Sequence, residues 1–307
     1  MTPAVVRLDR VSKRFRVGAF GRQELLAVRD VSFELRAGEV VSLIGESGSG
    51  KSTIGRMILR LTAASSGTIT FDGTDVTGLR RGALKEYYRR AQGVFQDPFS
   101  TYNPVFKADR VLAMIRWSYF PDVGEQAWRQ RVEDALAAVN LNPELVLDKY
   151  PHQLSGGQLQ RLLIARALLL DIKLLVADEV ISMLDASTRI DVLNLLADLK
   201  ERGLAVLFIT HDLSLGNYLA DQTVILRRGS IVERGATTAV FGDPLHPYTR
   251  TLLASVPRLG SKWTDEPLDP GPCRYHEVHP EGGPPLAEVA EDHFVACFRL
   301  HEGRKCG

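Results

Sequence analysis

No apolar run in this 307-residue chain approaches the length of about 18 residues needed to cross a bilayer. The longest candidates, LLIARALLL and KLLVADEVISML, are interrupted by Arg166 and by Asp178 and Glu179. No segment is therefore expected to span a membrane by itself. Excess charge is missing too, and a formal net charge of +1 gives no sign of a nucleic-acid partner. Cysteine is scarce: Cys273, Cys297 and Cys306 are an odd number, all near the C-terminus. With no secretory leader recognisable in MTPAVVRLDR, a reduced, cytoplasmic protein is expected. Internal repeats and low-complexity tracts are lacking. What remains is an ordinary globular composition, 45% hydrophobic and 24% charged, long enough for one large domain or two smaller ones.

The first stretch alternates as strands do. VSFEL puts Val31, Phe33 and Leu35 on one face, and GTITFDGTDV places Asp72-Gly73 at a hairpin turn. VVSLI, Val40 to Ile44, reads as a strand buried on both faces. A glycine-rich loop follows, then STIGRMILRL, whose Ile54, Met57, Ile58 and Leu61 recur with helical spacing. From about Asp97 to Pro151 the pattern is helical, with Val132, Leu136 and Val139 sharing a face of EQAWRQRVEDALAAV. LLVAD then predicts a second buried strand, STRIDVLNLLADLKER a helix and LAVLFIT a third strand. QTVILRRGSIVERG predicts a hairpin turning at Gly229. Strands alternating with helices imply an α/β fold with a mainly parallel sheet, to which the early hairpins and the helical block attach as subdomains. HPYTRTLLASVPRL is a last helical piece before Pro, Gly, His and Glu dominate.

The chemistry concentrates where strands end. Gly45-Glu46-Ser47-Gly48-Ser49-Gly50-Lys51-Ser52, with Thr53 next, fits G-x-x-x-x-G-K-[ST] between a predicted strand and a predicted helix. Such a loop rings phosphate oxygens with backbone N–H groups, Lys51 reaching the β- and γ-phosphates and the Ser52 hydroxyl a Mg²⁺ ion. A merely flexible turn is the alternative, and the flanking elements argue against it. LLVADE ends its strand with two carboxylates: Asp178 is suited to the Mg²⁺ shell, Glu179 to polarising a water beside the γ-phosphate. FITHD delivers His211 to the same kind of edge, and Gln96 stands in VFQDPFSTYNP. In LSGGQLQRLLIARAL, Ser155 can cap the following helix, and that helix mouth attracts an anion of its own.

In this order, the motifs resemble the nucleotide-binding subunit of an ABC transporter, from about Val6 to Pro257. The Gly45–Ser52 loop corresponds to Walker A, Gln96 to the Q-loop, Leu154–Gln158 to the LSGGQ signature, Leu174–Glu179 to Walker B, Ser182–Asp185 to the D-loop and His211 to the switch histidine. The resemblance implies a P-loop NTPase core of RecA type, an N-terminal antiparallel β subdomain and an α-helical subdomain. It implies ATP and Mg²⁺ as cofactors, with Ser52, Gln96 and Asp178 holding the metal, Glu179 as general base and His211 orienting the γ-phosphate. Phe15 would stack on adenine where the family usually has Tyr; a plain core role for Phe15 is the alternative. Two subunits would bind head to tail, so that Ser155, Gly156, Gly157 and Gln158 of one face the ATP of the other. Val180 and Ile181 depart from the family's Pro and Thr, which predicts active hydrolysis with a less rigid turn after Glu179.

GESGSGKST, FQDPFSTYNP and HPYTRTLLASVP are similar to the dipeptide/oligopeptide importer branch. This implies an ATP-binding domain over 1–243, with the helical subdomain at about 97–155, and a branch-type C-terminal extension over 244–307. Members of the branch that bind an iron–sulfur cluster there use four cysteines. Here Cys273 and Cys297 match, His279 stands where the second cysteine is expected, and the third is absent. No cluster is expected; a packed tail is the reading, with a weak metal site at Cys273, His276, His279 and Cys297 as the alternative. The implied partners are a second ATP-binding subunit, identical or not, two transmembrane permease subunits and, indirectly, an extracytoplasmic solute-binding protein. The implied place is the cytoplasmic face of the inner membrane, peripherally bound. Peptide is the expected cargo, with oligosaccharide and nickel as alternatives and a non-transport ABC ATPase as the remaining one.

Overall fold

Period-two alternation carries the chain into its first sheet. The computed structural model describes residues 3–17, 23–255 and 285–297. Strands β1 (Ala4–Val17) and β2 (Gln23–Arg36) pair antiparallel, and Val31, Phe33 and Leu35 are all buried. Strand β3 (Val40–Ile44) is buried at every residue, as a strand covered on both faces must be. Helix α1 (Lys51–Ile58) follows the glycine loop. Strands β4 (Ser66–Phe71) and β5 (Thr74–Asp75) complete a sheet of order β2-β1-β4-β5. Their turn places Asp72 and Gly73 at φ 47° and 73°, the two left-handed positions of a type I′ hairpin.

Helix α1 ends earlier than its periodicity predicts. Leu61 lies beyond it and is 55% exposed. Arg60 takes a left-handed φ of 58°, and the Leu61 N–H donates to the Arg56 carbonyl while the Arg60 N–H donates to that of Met57. That is the Schellman closure, here without the usual glycine.

Residues 79–204 form a unit of their own. It contains α2 (Arg81–Arg90), β6 (Ala91–Val94), α3 (Pro98–Thr101), α4 (Arg110–Tyr119), α5 (Glu125–Ala138), α6 (Pro143–Val146), α7 (Gly156–Leu168), β7 (Leu174–Asp178) and α8 (Ala186–Glu201). Strands β6 and β7 are parallel, in register at Val94 and Ala177. Val132 and Leu136 of α5, with the following Val139, are buried as their shared face requires.

The chain then returns to the first unit, whose described residues fall within Met1–Gly78 and Ala205–Gly307. Here are β8 (Ala205–Thr210), α9 (Leu213–Leu219), β9 (Gln222–Arg227), β10 (Ser230–Ala236), α10 (Thr237–Gly242), α11 (Pro247–Ala254), β11 (Leu286–Ala290) and β12 (His293–Ala296). Strands β8 and β9 flank β3 in parallel. The hairpin β9–β10 turns through Arg228 and Gly229, both left-handed. The last two strands were not expected from the sequence: β12 pairs antiparallel with β10 and carries β11 on its other side. The architecture is mixed α/β, with an antiparallel β sheet and a parallel-sheet core.

Candidate functional site

The phosphate loop is shaped by what its glycines avoid. A Cβ on Gly45 would stand 2.2 Å from the Leu226 carbonyl oxygen, and one on Gly50 2.6 Å from that of Ala27. Gly50 also has a left-handed φ of 102°. It opens α1 without offering a capping side chain, and no acidic residue stands in the first turn. By contrast, α7, α8 and α9 are capped by Ser155, Asp185 and Asp212. The mouth of α1 is therefore shaped for an anion from outside the chain.

Lys51 is buried within this loop, its ammonium donating to the carbonyls of Gly45 at 2.7 Å and Glu46 at 2.9 Å. The Ser49 hydroxyl is buried with no hydrogen-bond partner among the described residues, a polar group suited to an oxygen the chain does not supply. Glu46, Ser47 and Gly48 are exposed, while Ser52 and Thr53 lie half-buried in the first turn of α1. Ile44 pairs with Thr210, so the loop leaving β3 and His211 leaving β8 emerge at the same edge. His211 is exposed there, just before Asp212 caps α9.

The second unit repeats the arrangement with other chemistry. Because Val94 pairs with Ala177 in parallel, Gln96 and the Asp178–Glu179 pair leave their strands at one edge. Gln96 is exposed and Asp178 is buried. Glu179 takes a left-handed φ of 53°, a conformation that costs a non-glycine residue about 1–3 kcal/mol and gathers at working sites. The turn after it differs from the expectation of laxity. Val180 and Ile181 are both 2% exposed, and Ser182 donates to the Glu179 carbonyl through its N–H at 3.1 Å and its hydroxyl at 2.9 Å. Two buried apolar side chains anchor the turn where a proline would have stiffened it.

Helix α7 starts at a complete capping box. Ser155 Oγ accepts from the Gln158 N–H at 3.2 Å, and the Gln158 side chain accepts from the Ser155 N–H at 2.9 Å. The hydroxyl hydrogen of Ser155 is thus not used by the cap. Ser155 is exposed and Gly156 half-buried, whereas Gly157 is buried: a Cβ there would stand 2.3 Å from Thr188 Cγ2 on α8. Gly157 is needed first for helix packing, a demand that its place in the signature motif does not announce. Asp185 caps α8, accepting from Ser187 and Thr188, and those bonds hold its carboxyl well below the usual range.

Phe15 sits on β1 opposite Leu25, half-buried and outside the core, with the Lys13 ammonium 4.9 Å from its ring centroid. Of the tail residues, Cys297 is buried; Cys273, His276 and His279 lie outside the described residues.

The sequence profile of the ABC transporter family matches residues 28–182, and that of the oligopeptide/dipeptide transporter C-terminal region matches residues 232–282. A probable peptide ABC transporter ATP-binding protein of Sinorhizobium fredii, y4tS, is 36% identical over 97% of this chain and 90% of its own length. The oligopeptide transport ATP-binding protein OppF of Streptococcus pyogenes serotype M1 is 37% identical, covering 90% of each chain. Among solved structures, the dimeric post-hydrolysis ATP-binding cassette MJ0796 bound to ADP and Pi is similar, with a TM-score of 0.67 and 28% identity. It covers 76% of this chain and 98% of its own.

Proposed function

The chain belongs to the ABC transporter family of ATP-hydrolysing cassettes, and from that premise we propose that it powers a peptide importer from the cytoplasmic face of the membrane. The observation that carries the reading is the loop Gly45–Thr53, with buried Lys51 inside an uncapped helix mouth. Peptide as cargo rests on the likeness to the peptide and oligopeptide import proteins and on the matched C-terminal region.

In this reading Lys51 and the N–H groups of residues 47–53 hold the β- and γ-phosphates, and Phe15 stacks on the adenine. Ser52, Gln96 and Asp178 are the hard oxygen donors that Mg²⁺ takes, and the ion would screen the phosphate charge. Glu179 accepts the proton of the attacking water, and His211 orients the γ-phosphate. Ser155 and Gly156, the accessible part of the signature, donate to ATP held by a second cassette; Gly157 and Gln158 set their geometry from behind. Residues 1–243 are the cassette and 244–307 its extension. Exposed Phe99, Phe106, Met114 and Trp117 give the helical region the apolar surface that a permease segment needs. The complex would comprise two cassettes and two permease subunits, fed by a solute-binding protein.

Uptake of radiolabelled peptides, oligosaccharides and Ni²⁺ by the reconstituted complex tests the proposal. Peptide should accumulate with ATP and fail to do so with Lys51→Ala. Accumulation of only oligosaccharide or Ni²⁺ would replace the cargo, and normal turnover by Lys51→Ala would remove the phosphate-loop assignment.

A further inference from the structure

A side chain from the C-terminal part of the chain reaches into the phosphate loop. Tyr248, on α11, is buried, and its hydroxyl oxygen accepts from the backbone N–H of Glu46 at 3.3 Å, across 202 residues of sequence. Glu46 is the second residue of the phosphate loop, and Tyr248 offers its backbone donor an acceptor from within the chain. The ring itself packs in a core cluster with Ile44, the last residue before the loop, and with Ala296 and Cys297 of the tail. Burial pushes the Tyr248 hydroxyl up to about 12, so it stays neutral at any working pH.

What fixes Tyr248 is a buried relay. Glu233, fully buried on β10, accepts from the N–H groups of Leu245 at 2.9 Å and His246 at 3.0 Å. Its Oε1 also pairs with His293 Nε2 on β12 at 2.9 Å. His246 Nδ1 in turn accepts from the Tyr248 N–H at 3.1 Å, capping α11, whose first residue is Pro247. A buried carboxylate so completely bonded holds its partners in one geometry. It ties the tail strand β12, the Leu245–His246 corner and the start of α11 into one piece.

Resting on the nucleotide reading above, we propose that Tyr248 is a positioning residue of the ATP site. It sets the entrance of the phosphate loop through Glu46, and the tail sets Tyr248 through the His293–Glu233–His246 relay. The tail is then part of the nucleotide site's support, and its retained Cys297 serves as packing beneath the loop.

Tyr248→Phe in the full-length chain removes the hydroxyl and keeps the ring. Without nucleotide, hydrogen exchange at the Glu46 amide should quicken about tenfold against the β3 amides of the same sample, and the ATP Kd and KM should rise about three- to tenfold. The change should fall on KM rather than kcat, a split that general loss of fold does not produce. His293→Ala should shift KM in the same direction, and His293→Gln, which retains a donor, should restore it. Unchanged Glu46 exchange, or equal acceleration of Glu46 and β3, overturns the proposal, as does an unchanged ATP affinity in Tyr248→Phe. Lys51→Ala run alongside keeps the two readings apart. If it binds ATP normally the nucleotide assignment fails, while the Glu46 exchange difference stands or falls by itself.

Discussion

Glu179 shows how much a single position is asked to do. It directly follows Asp178, the last residue of buried strand β7, and its backbone is left-handed at φ 53°. Two donations from Ser182 to its carbonyl and the buried Val180 and Ile181 offset that conformation. If the carboxylate is the general base, Glu179→Gln should slow hydrolysis by about 100-fold or more while ATP binding is retained, since the amide keeps the shape and the turn. Single-turnover hydrolysis and equilibrium ATP binding, measured on the same preparation, check this. Hydrolysis within threefold of the parent would move the base elsewhere. The candidate residues of the site are legible in the sequence because their types and spacing suit the proposed mechanism: a lysine after a glycine loop, paired carboxylates closing an apolar strand. Tyr248 is not. Its one informative bond reaches Glu46 from the far end of the sequence, and nothing in HPYTRTLL alone tells which backbone group a buried hydroxyl will meet.

Among the elements, the strands of the parallel core and helix α8 follow from apolar runs and caps that the sequence displays. The deviations have local causes. Helix α2 is hard to read from the sequence because RGALKEYYRR is strongly polar: its apolar stripe is only Leu84, Tyr87 and Tyr88, of which Tyr87 alone is buried. Strands β11 and β12 are five and four residues long and depend on the edge of β10, a partner more than fifty residues earlier. The α7–α8 pairing is the element-scale feature with the sharpest consequence. Gly157 has no space for a methyl group against Thr188, so Gly157→Ala should destabilise the protein by about 1–3 kcal/mol through overpacking. Removing the obstructing methyl with Thr188→Ser should recover much of the loss. Urea unfolding of the two single variants and the double variant gives the coupling directly. Additive effects would mean that the two helices do not meet through this pair.

For the whole molecule, the decisive issue is whether one nucleotide is shared by two cassettes. The α1 mouth and the α7 mouth are each anion-seeking helix termini, but only the first has a buried lysine and an uncapped start. The second keeps its internal cap and presents the outer side of Ser155. Such a half-site has little to bind alone and gains a ligand only when another copy brings ATP to it. That reasoning predicts a complementation result. Lys51→Ala should be inactive because neither of its phosphate loops holds ATP. Ser155→Arg should be inactive because neither of its ATP molecules meets an intact α7 mouth, although it still binds nucleotide. Mixed one to one, half of the dimers would be hybrids under random pairing. In each hybrid, the loop of the Ser155→Arg chain would face the signature of the Lys51→Ala chain, and that one site would be whole. ATPase activity should therefore reappear on mixing and rise more steeply than linearly with total protein at low concentration. Silence in the mixture, with both variants folded and Ser155→Arg still binding ATP, would rule out a pair of identical copies and leave a different cassette as the mate.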